Sequence, residues 1–573
     1  MPTIQLDGRA LEVQGGEPLD IALIKSGVVV IASSTLYRRP RGFVGVEGWR
    51  KQNLVYVKGR GWVNPCSIRV EDGLVAETLK GSRVLQKILR IYPQLLHYGV
   101  HHNPIIRNQA LWPIFRAFIG RALLHPKAEA EGFGRKTKLM DVDVDVLVVG
   151  GGPAGLSAAS KLSQRGLKVL LVDDGEDLGG RLRYDRSPIP VGDGVEQAQE
   201  LVGRLKGRLK GVQILTETSL TAFFEDATLL QSAEGFIRVR AKIIIFATGA
   251  RDAPLIFKNN DLPGVYPASY VLRLLHFGVK PGERGIVVGA NDWGFRLAAQ
   301  LMKAGVDVAV VDPYDKIRAQ SMYVDGASKA GIRVWLNTRL VEARGWSRVK
   351  KVVLECEGSS YIMNVDFICL ALSRYPCIEA PLQAGVDMKY SEHYGLYIPN
   401  HNPYGETNLE NILVAGSIVG CNYEYVNMLM GEASALTALI KLGYRDVWDE
   451  RERLVKEAGR IREKFEERHG RPSLPEAWVS GRIDDTAFLC FCWDITAKDL
   501  LYAIKRGAWS MEKVKRCIGV GTGLCQGKQC MVNTALLLAH LLKKSPDEVG
   551  LFRQRPPLQP LPLSALSTVG GGV

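Results

Sequence analysis

The sequence predicts an α/β protein in which a nucleotide-binding fold occurs twice, the second copy inserted into the first, followed by a small helical domain bearing four cysteines. Three observations predict it. Residues 144–173 read V-D-V-L-V-V-G-G-G-P-A-G-L-S-A-A-S-K-L-S-Q-R-G-L-K-V-L-L-V-D. Residues 285–312 repeat the same order of strand, glycine turn, helix, strand and acid. Cys490, Cys492, Cys525 and Cys530 form two close pairs near the C-terminal end. A chain of 573 residues has room for about three or four domains and an ample core.

Residues 1–80 read as a small β-rich module. T-I-Q-L-D-G-R-A-L-E-V-Q predicts a hairpin turning at Asp7-Gly8. Pro18–Ser26 predicts a short helix, and Leu54–Val57 and Ser67–Val70 predict strands. This order resembles the β-grasp of plant-type ferredoxins. In those, the loop after the first helix carries three closely spaced cysteines. Here that stretch is I-A-S-S-T-L-Y-R-R-P-R-G-F-V-G, and the first cysteine of the chain is Cys66. The module is expected to keep the shape without a thiolate cluster. Residues 81–140 then predict a helical connector, with an exposed linker at 125–138.

The first nucleotide fold is expected over residues 141–278 and 379–445. Gly150-x-Gly152-x-x-Gly155 follows an apolar strand and opens a helix at Pro153 and Ala154. That context makes it a dinucleotide fingerprint. Gly150 makes the tight turn, Gly152 admits the pyrophosphate, and Gly155 lets helix and strand pack. The helix presents its positive end to the phosphates. Asp173, followed by Asp174, ends the second strand, where a carboxylate accepts ribose hydroxyls. Gly179-Gly180-Arg181 resembles the G-G-[R/Q]-L element of two-dinucleotide flavoproteins. I-I-I-F-A-T-G-A-R-D (Ile243–Asp252), with Thr248 and Gly249, is similar to the strand end beside the flavin nucleotide in that class. Together they favour FAD. In N-I-L-V-A-G-S-I-V-G (Asn411–Gly420) the class usually has A-G-D, and here Gly416 is followed by Ser417, a hydroxyl in place of a carboxylate.

The inserted fold is expected over 279–378. Its fingerprint is Gly289-x-Asn291-x-x-Gly294, with Asp312 as the acid. Asn291 puts a side chain where a pyrophosphate would approach. Two readings stand: NAD or another adenine nucleotide binds here, or the fold is retained with an altered or absent ligand. Disulfide reduction is excluded, because no C-x-x-C exists and no C-x₄-C stands just after the first strand–helix unit. Cys421 reads as a packing cysteine.

Residues 446–485 predict a charged helical linker and 486–550 the cysteine domain. Cys490 and Cys492 stand as C-F-C, Cys525 and Cys530 as C-Q-G-K-Q-C, with 32 residues between the pairs. Four thiolates in two pairs suit a [2Fe–2S] centre, in which each iron takes two protein sulfurs. The surrounding glycines let backbone N–H groups approach the sulfides. A structural zinc site is the alternative, although C-x-C is unusual for zinc. Cys517 reads as a small buried hydrophobe. Residues 551–573, rich in Pro and Gly, are expected to be disordered or to lie along a partner.

Net charge is +14, but the basic residues are dispersed and no nucleic-acid motif accompanies them. No run of about 18 apolar residues indicates a membrane span. The N-terminus M-P-T-I-Q-L-D-G-R lacks the build of a signal peptide. A thiolate cluster implies a reducing, cytoplasmic compartment.

The start with R-R-P-R-G-F-V-G in place of a cluster, the split FAD fold with N-D-W-G in its insert, and M-E-K-V-K-R…G-T-G…Q-G-K near the end resemble one family. It comprises the α subunits of heteromeric sarcosine oxidases, dye-linked L-proline dehydrogenases, opine oxidases and hydrogen cyanide synthase. The resemblance covers residues 1 to about 545. The long folate-type C-terminal domain of sarcosine oxidase α subunits is expected to be absent, the sequence stopping at 573. The resemblance implies a division of labour. A catalytic β subunit with its own FAD binds and oxidises the amine, an FMN often sits at the subunit interface, further small subunits occur, and the α subunit relays electrons. Two other readings are a stand-alone NAD(P)H:acceptor reductase using both nucleotide folds, and a non-catalytic nucleotide-binding scaffold with zinc at the cysteines.

Overall fold

The computed structural model describes residues 1–34, 37–44, 53–79, 113, 138–469 and 483–561. Most of the expected connector 81–140 lies outside the described residues. Among the described residues no helix is long and apolar enough to cross a membrane.

The N-terminal module is a five-stranded sheet in the order Arg9–Glu12, Thr3–Leu6, Val75–Glu77, Val55–Val57, Gly61–Val63, with helix Leu19–Lys25 on it. Asp7 and Gly8 both take positive φ, which closes the expected hairpin. Thr3–Leu6 pairs in parallel with Val75–Glu77, completing the grasp. The expected strand at Ser67–Val70 does not form. Pro65 has no N–H to give a ladder and opens a 3₁₀ turn, Pro65–Ser67, capped by the Asn64 side chain, which accepts from Cys66 N. The strand falls instead at Val75–Glu77.

The first nucleotide sheet has parallel strands Gln213–Leu215, Val169–Val172, Lys138–Val149, Gly235–Phe246 and Ile412–Val414, side by side in that order. Helices Pro153–Ser163 and Glu424–Lys441 pack on one face. The inserted sheet runs Val265–Pro267, Phe367–Leu370, Arg284–Val288, Asp307–Val311, Arg333–Trp335, all parallel. The insertion therefore begins before residue 279, because Val265–Pro267 already pairs in its sheet. Helix Trp448–His469 occupies the expected charged linker.

The C-terminal domain holds a short hairpin, Phe488–Cys490 with Ile495–Thr496, and helices Ala497–Lys505, Met511–Ile518 and Met531–Leu542. Its core is continuous with that of the first nucleotide sheet. The core of the N-terminal module is continuous with that of the insert. Residues 551–561 do not extend free of the chain, as expected from composition. They pack on it, with Phe552, Gln554 and Leu558 buried.

One loop, Asn259–Asp261, joins three domains. The Asn260 side chain mimics a strand: its Oδ1 accepts from Phe488 N at 3.1 Å and its Nδ2 donates to Phe488 O at 2.9 Å. Arg39 donates to Asp261 at 2.7 and 2.9 Å, and to Asn259 Oδ1 at 2.9 Å. Arg41 is buried between two buried carboxylates, donating to Asp261 and, at 2.7 Å, to Asp494. Burial alone would raise the Asp261 carboxyl, but Arg41 and Arg39 hold it below the ordinary carboxylate range.

Removing the shared cation would take the Arg41 ion pair from two buried carboxylates at once, leaving Asp261 to Arg39. Arg41→Met should lower stability by about 3–5 kcal/mol, read as a fall in the unfolding midpoint. A loss below about 1 kcal/mol, the scale of an exposed pair, would contradict this reading.

Candidate functional site

A cavity of about 380 Å³ opens beside the first glycine turn. Gly150, Gly152, Pro153, Asp173, Asp174, Gly180, Arg181, Thr248, Gly249 and Ser417 line it. Ala154, Gly155 and Gly416 stand behind its wall. A Cβ at Gly155 would lie 1.8 Å from Gly150 O, and one at Gly416 would lie 2.6 Å from the Ala154 Cβ. These two positions let helix, turn and strand pack. At Gly152 a Cβ would meet nothing within 4 Å. Gly152 also caps the helix with no side chain. The space a dinucleotide phosphate needs is therefore present in front of a positive helix end.

Asp173 sits at the end of strand Val169–Val172, where its Oδ2 accepts from Gly151 N at 2.6 Å and its Oδ1 from Gly175 N at 2.8 Å. Burial, with Asp174 beside it, pushes its carboxyl up to about 6 against these two hydrogen bonds. Arg181 donates through Nη2 to Glu424 at 2.8 Å, while its buried Nη1 has no partner. Burial would raise Glu424, but Arg296 and Arg181 hold it at about 2.

Sequence reasoning missed Asn427. It lies on helix Glu424–Lys441, lines the cavity, and donates through Nδ2 to Ser417 Oγ at 3.0 Å. Its Oδ1 is buried and unpartnered. That orphan acceptor stands beside the position where the flavoprotein class has a carboxylate, and a sugar hydroxyl would satisfy it. No local motif marks it. Arg251 and Glu379, also in the wall, form a two-point ion pair at 2.6 and 2.8 Å.

The inserted fold is arranged differently. Asn291 Oδ1 accepts from Gly294 N at 3.0 Å, and its Nδ2 donates to Ala371 O and Leu372 O. The side chain therefore caps the helix amide that an anion would use. Asp312 is buried, accepting from Ala290 N at 2.6 Å and Tyr314 N at 2.9 Å, with Arg318 at 3.3 Å. Arg318 N donates to Ala290 O, so the following loop closes over the turn.

Cys490, Cys492, Cys525 and Cys530 are buried together. Cys492 and Cys525 sulfurs are 3.6 Å apart, and Cys490 is in hydrogen-bond contact with both Cys492 and Cys530. The hydrogen bond with Cys490, opposed by that with Cys525, and then burial push the Cys492 thiol up to about 12. Among the described residues no group of three or more His, Cys, Asp or Glu is arranged to hold a metal ion; the four thiols touch in the order Cys530, Cys490, Cys492, Cys525. A Cβ at Gly523 would lie 2.3 Å from the Cys492 Cβ, so the loop needs glycine there to close on the first pair. Gly521 and Gly527 serve another purpose: the Phe552 ring lies against both. Cys517 is half-buried on helix Met511–Ile518. Phe491, the residue inside C-F-C, lines the dinucleotide cavity. Cys66 donates to Asp20 at 3.2 Å.

Comparison with known proteins agrees with this layout. Residues 144–436 match the pyridine nucleotide-disulphide oxidoreductase family, 484–569 the sarcosine oxidase A3 domain, and 1–81 the 2Fe-2S iron-sulfur cluster binding domain. The chain is 27% identical over 599 residues to the sarcosine oxidase α subunit of Rhizobium meliloti, covering 98% of this chain and 57% of that protein. It is 24% identical to an opine oxidase subunit of the same organism, covering 74% and 98%. It thus spans little more than half the length of the sarcosine oxidase relatives. The fold is that of the L-proline dehydrogenase from P. horikoshii, with a TM-score of 0.73, 23% identity, and coverage of 99% and 97%. FAD and a [2Fe–2S] cluster are the cofactors these matches carry. Within residues 1–81 Cys66 is the only cysteine, so the match there gives the shape and not a four-thiolate ligand set.

Two outcomes are expected. Gly152→Val should empty the first fold of FAD, because the side chain would enter the phosphate space; a variant that keeps one FAD per chain would refute the assignment. FAD affinity should fall as pH drops through about 6, by up to about tenfold per unit, as Asp173 protonates and loses acceptor capacity. Titration of FAD release between pH 8 and 5 checks this, and a flat profile would exclude the role of Asp173.

Proposed function

The chain belongs to the pyridine nucleotide-disulphide oxidoreductase family, and from that premise we propose that it is the electron-relaying subunit of a heteromeric amine-oxidising flavoenzyme. The observation that carries the reading is the double position of Phe491. It is flanked by Cys490 and Cys492 and lines the cavity read as the dinucleotide site. The two cofactor sites are thus neighbours across one aromatic residue.

Flavin supplies two-electron acceptance with single-electron release, and an iron–sulfur centre supplies one-electron transfer. The chain's residues hold and insulate these groups. Gly150, Gly152 and Gly155, with the helix end at Pro153 and Ala154, receive the pyrophosphate, and Arg181, whose buried Nη1 has no partner, lines the same cavity. Asp173 accepts the ribose hydroxyls. Asn427 Oδ1, backed by Ser417, accepts from the sugar chain in place of the missing carboxylate. The Phe491 ring stacks on Phe488, with ring centroids 6.4 Å apart, and the four thiols are buried. Four buried thiols in one cluster of contacts, arranged as two close pairs in the sequence, support a centre with two irons, each held by two cysteines.

In this reading the amine, of the L-proline or sarcosine kind, is bound and oxidised on a β subunit with its own FAD, with FMN at the interface. The relatives' names support the substrate class. The inserted fold serves as a packing unit for the N-terminal module, its anion site taken by Asn291. A buried thiolate centre calls for a reducing, cytoplasmic setting.

Replacing any one of Cys490, Cys492, Cys525 and Cys530 by Ala should abolish the cluster's visible absorption and its electron paramagnetic resonance signal after reduction. Cys517→Ala should leave both intact. Protein purified without oxygen that carries one zinc per chain and no iron would make the site structural and end the relay reading.

A further inference from the structure

We propose that Lys528, the lysine inside the second cysteine pair, is a ligand of the dinucleotide phosphate on the adenosine side, held there by the C-terminal strap Leu551–Gln559. The proposal rests on the reading of this cavity as a dinucleotide site.

Lys528 belongs by sequence to the cysteine loop, C-Q-G-K-Q-C. In space it lines the dinucleotide cavity together with Asp174 and the segment Thr218–Leu220. Asp174 follows the ribose acid Asp173, so this is the adenosine end. The backbone of the lysine is fixed by Arg251, whose Nη1 donates to Lys528 O at 3.0 Å. Its ammonium is fixed by the strap, donating to Leu558 O at 2.7 Å. An ammonium has three donors, and a neutral carbonyl takes one of them without balancing the charge. Glu379, in the same cavity wall, is already committed to Arg251. A phosphate oxygen in the cavity would supply what the carbonyl lacks, and lysine is a common point charge for phosphate.

The strap is a built feature. Phe552 is seated on Gly521 and Gly527, where any Cβ would come within 2.2 and 2.4 Å of its ring. Gln554 Nε2 donates to Gln526 O at 3.1 Å. Leu558 N donates to Thr221 O at 2.8 Å, and Leu558 and Gln559 line the cavity. One extended segment thus ties the cysteine loop to the adenosine end. The cysteine loop then gives the dinucleotide site a phosphate ligand from between its two cysteines.

The test is equilibrium binding of FAD, ADP and adenosine to the full chain freed of flavin, with iron measured alongside. Lys528→Met should weaken FAD and ADP by the same factor, about 10- to 100-fold, and leave adenosine unchanged. Lys528→Arg should restore most of the loss. A chain ending at Arg555, with the cysteine loop untouched, should also lose ADP affinity. Unchanged ADP binding in Lys528→Met overturns the proposal, as does an equal loss for adenosine, which would mean packing and not phosphate contact. If Lys528→Met loses iron, the shortened chain decides, and unchanged ADP binding there overturns it. A parent chain that binds neither FAD nor ADP fails the dinucleotide reading itself, a different result.

Discussion

The architecture depends on one buried cation, Arg41, held between Asp261 and Asp494. Each partner belongs to a different domain. Arg41 comes from the N-terminal module, Asp261 from the link between the two nucleotide folds, and Asp494 from the hairpin that carries the first cysteine pair. A guanidinium suits this place because its planar fork can address two carboxylates at once and does not lose its proton on burial. Its neighbour Arg39 reinforces the Asp261 side, and the Phe488 ring lies within 5.2 Å of the Arg41 guanidinium. The loop R-R-P-R-G occupies the position where the ferredoxin β-grasp carries its cluster. Here it clamps one domain to another.

That clamp fixes the position of the C-F-C turn, on which the proposed electron relay would depend. With Asp494 and Phe488 held, and Asn260 pairing with the Phe488 backbone like an extra strand, the C-F-C turn cannot drift from the cavity wall. Phe491, flanked by two of the thiols, then lines that cavity. The second cysteine pair is brought in from the other side by its glycine loop, and the strap closes that side with Phe552. The two halves of the cysteine site are positioned by different parts of the chain, and both positions are referred to the same cavity.

Much of this was legible in the sequence where the signal is local. The G-x-G-x-x-G turn with its following acid carries its own strand and helix, so both nucleotide folds could be placed by spacing. The departure at Asn291 was visible too, with a side chain in the pyrophosphate's path; the carbonyls of Ala371 and Leu372 that hold it there were not. Asn427 could not be found, since it reaches Ser417 from a helix and has no motif. The strap was misread because its proline content argues for an open chain, while its burial is decided by two distant glycines that leave room for one ring. The strand expected at Ser67–Val70 failed to Pro65, a one-residue signal that apolar periodicity outweighed. The start of the insert was misplaced because Val265–Pro267 is too short to show a period.

The most direct test of the relay is the location of the metal in crystals of the purified chain, by anomalous diffraction at the iron edge. Electron relay through this chain predicts a two-iron peak enclosed by Cys490, Cys492, Cys525 and Cys530, with dinucleotide density ending against Phe491. A single zinc peak among those cysteines, or iron in the N-terminal module near Cys66, would contradict it.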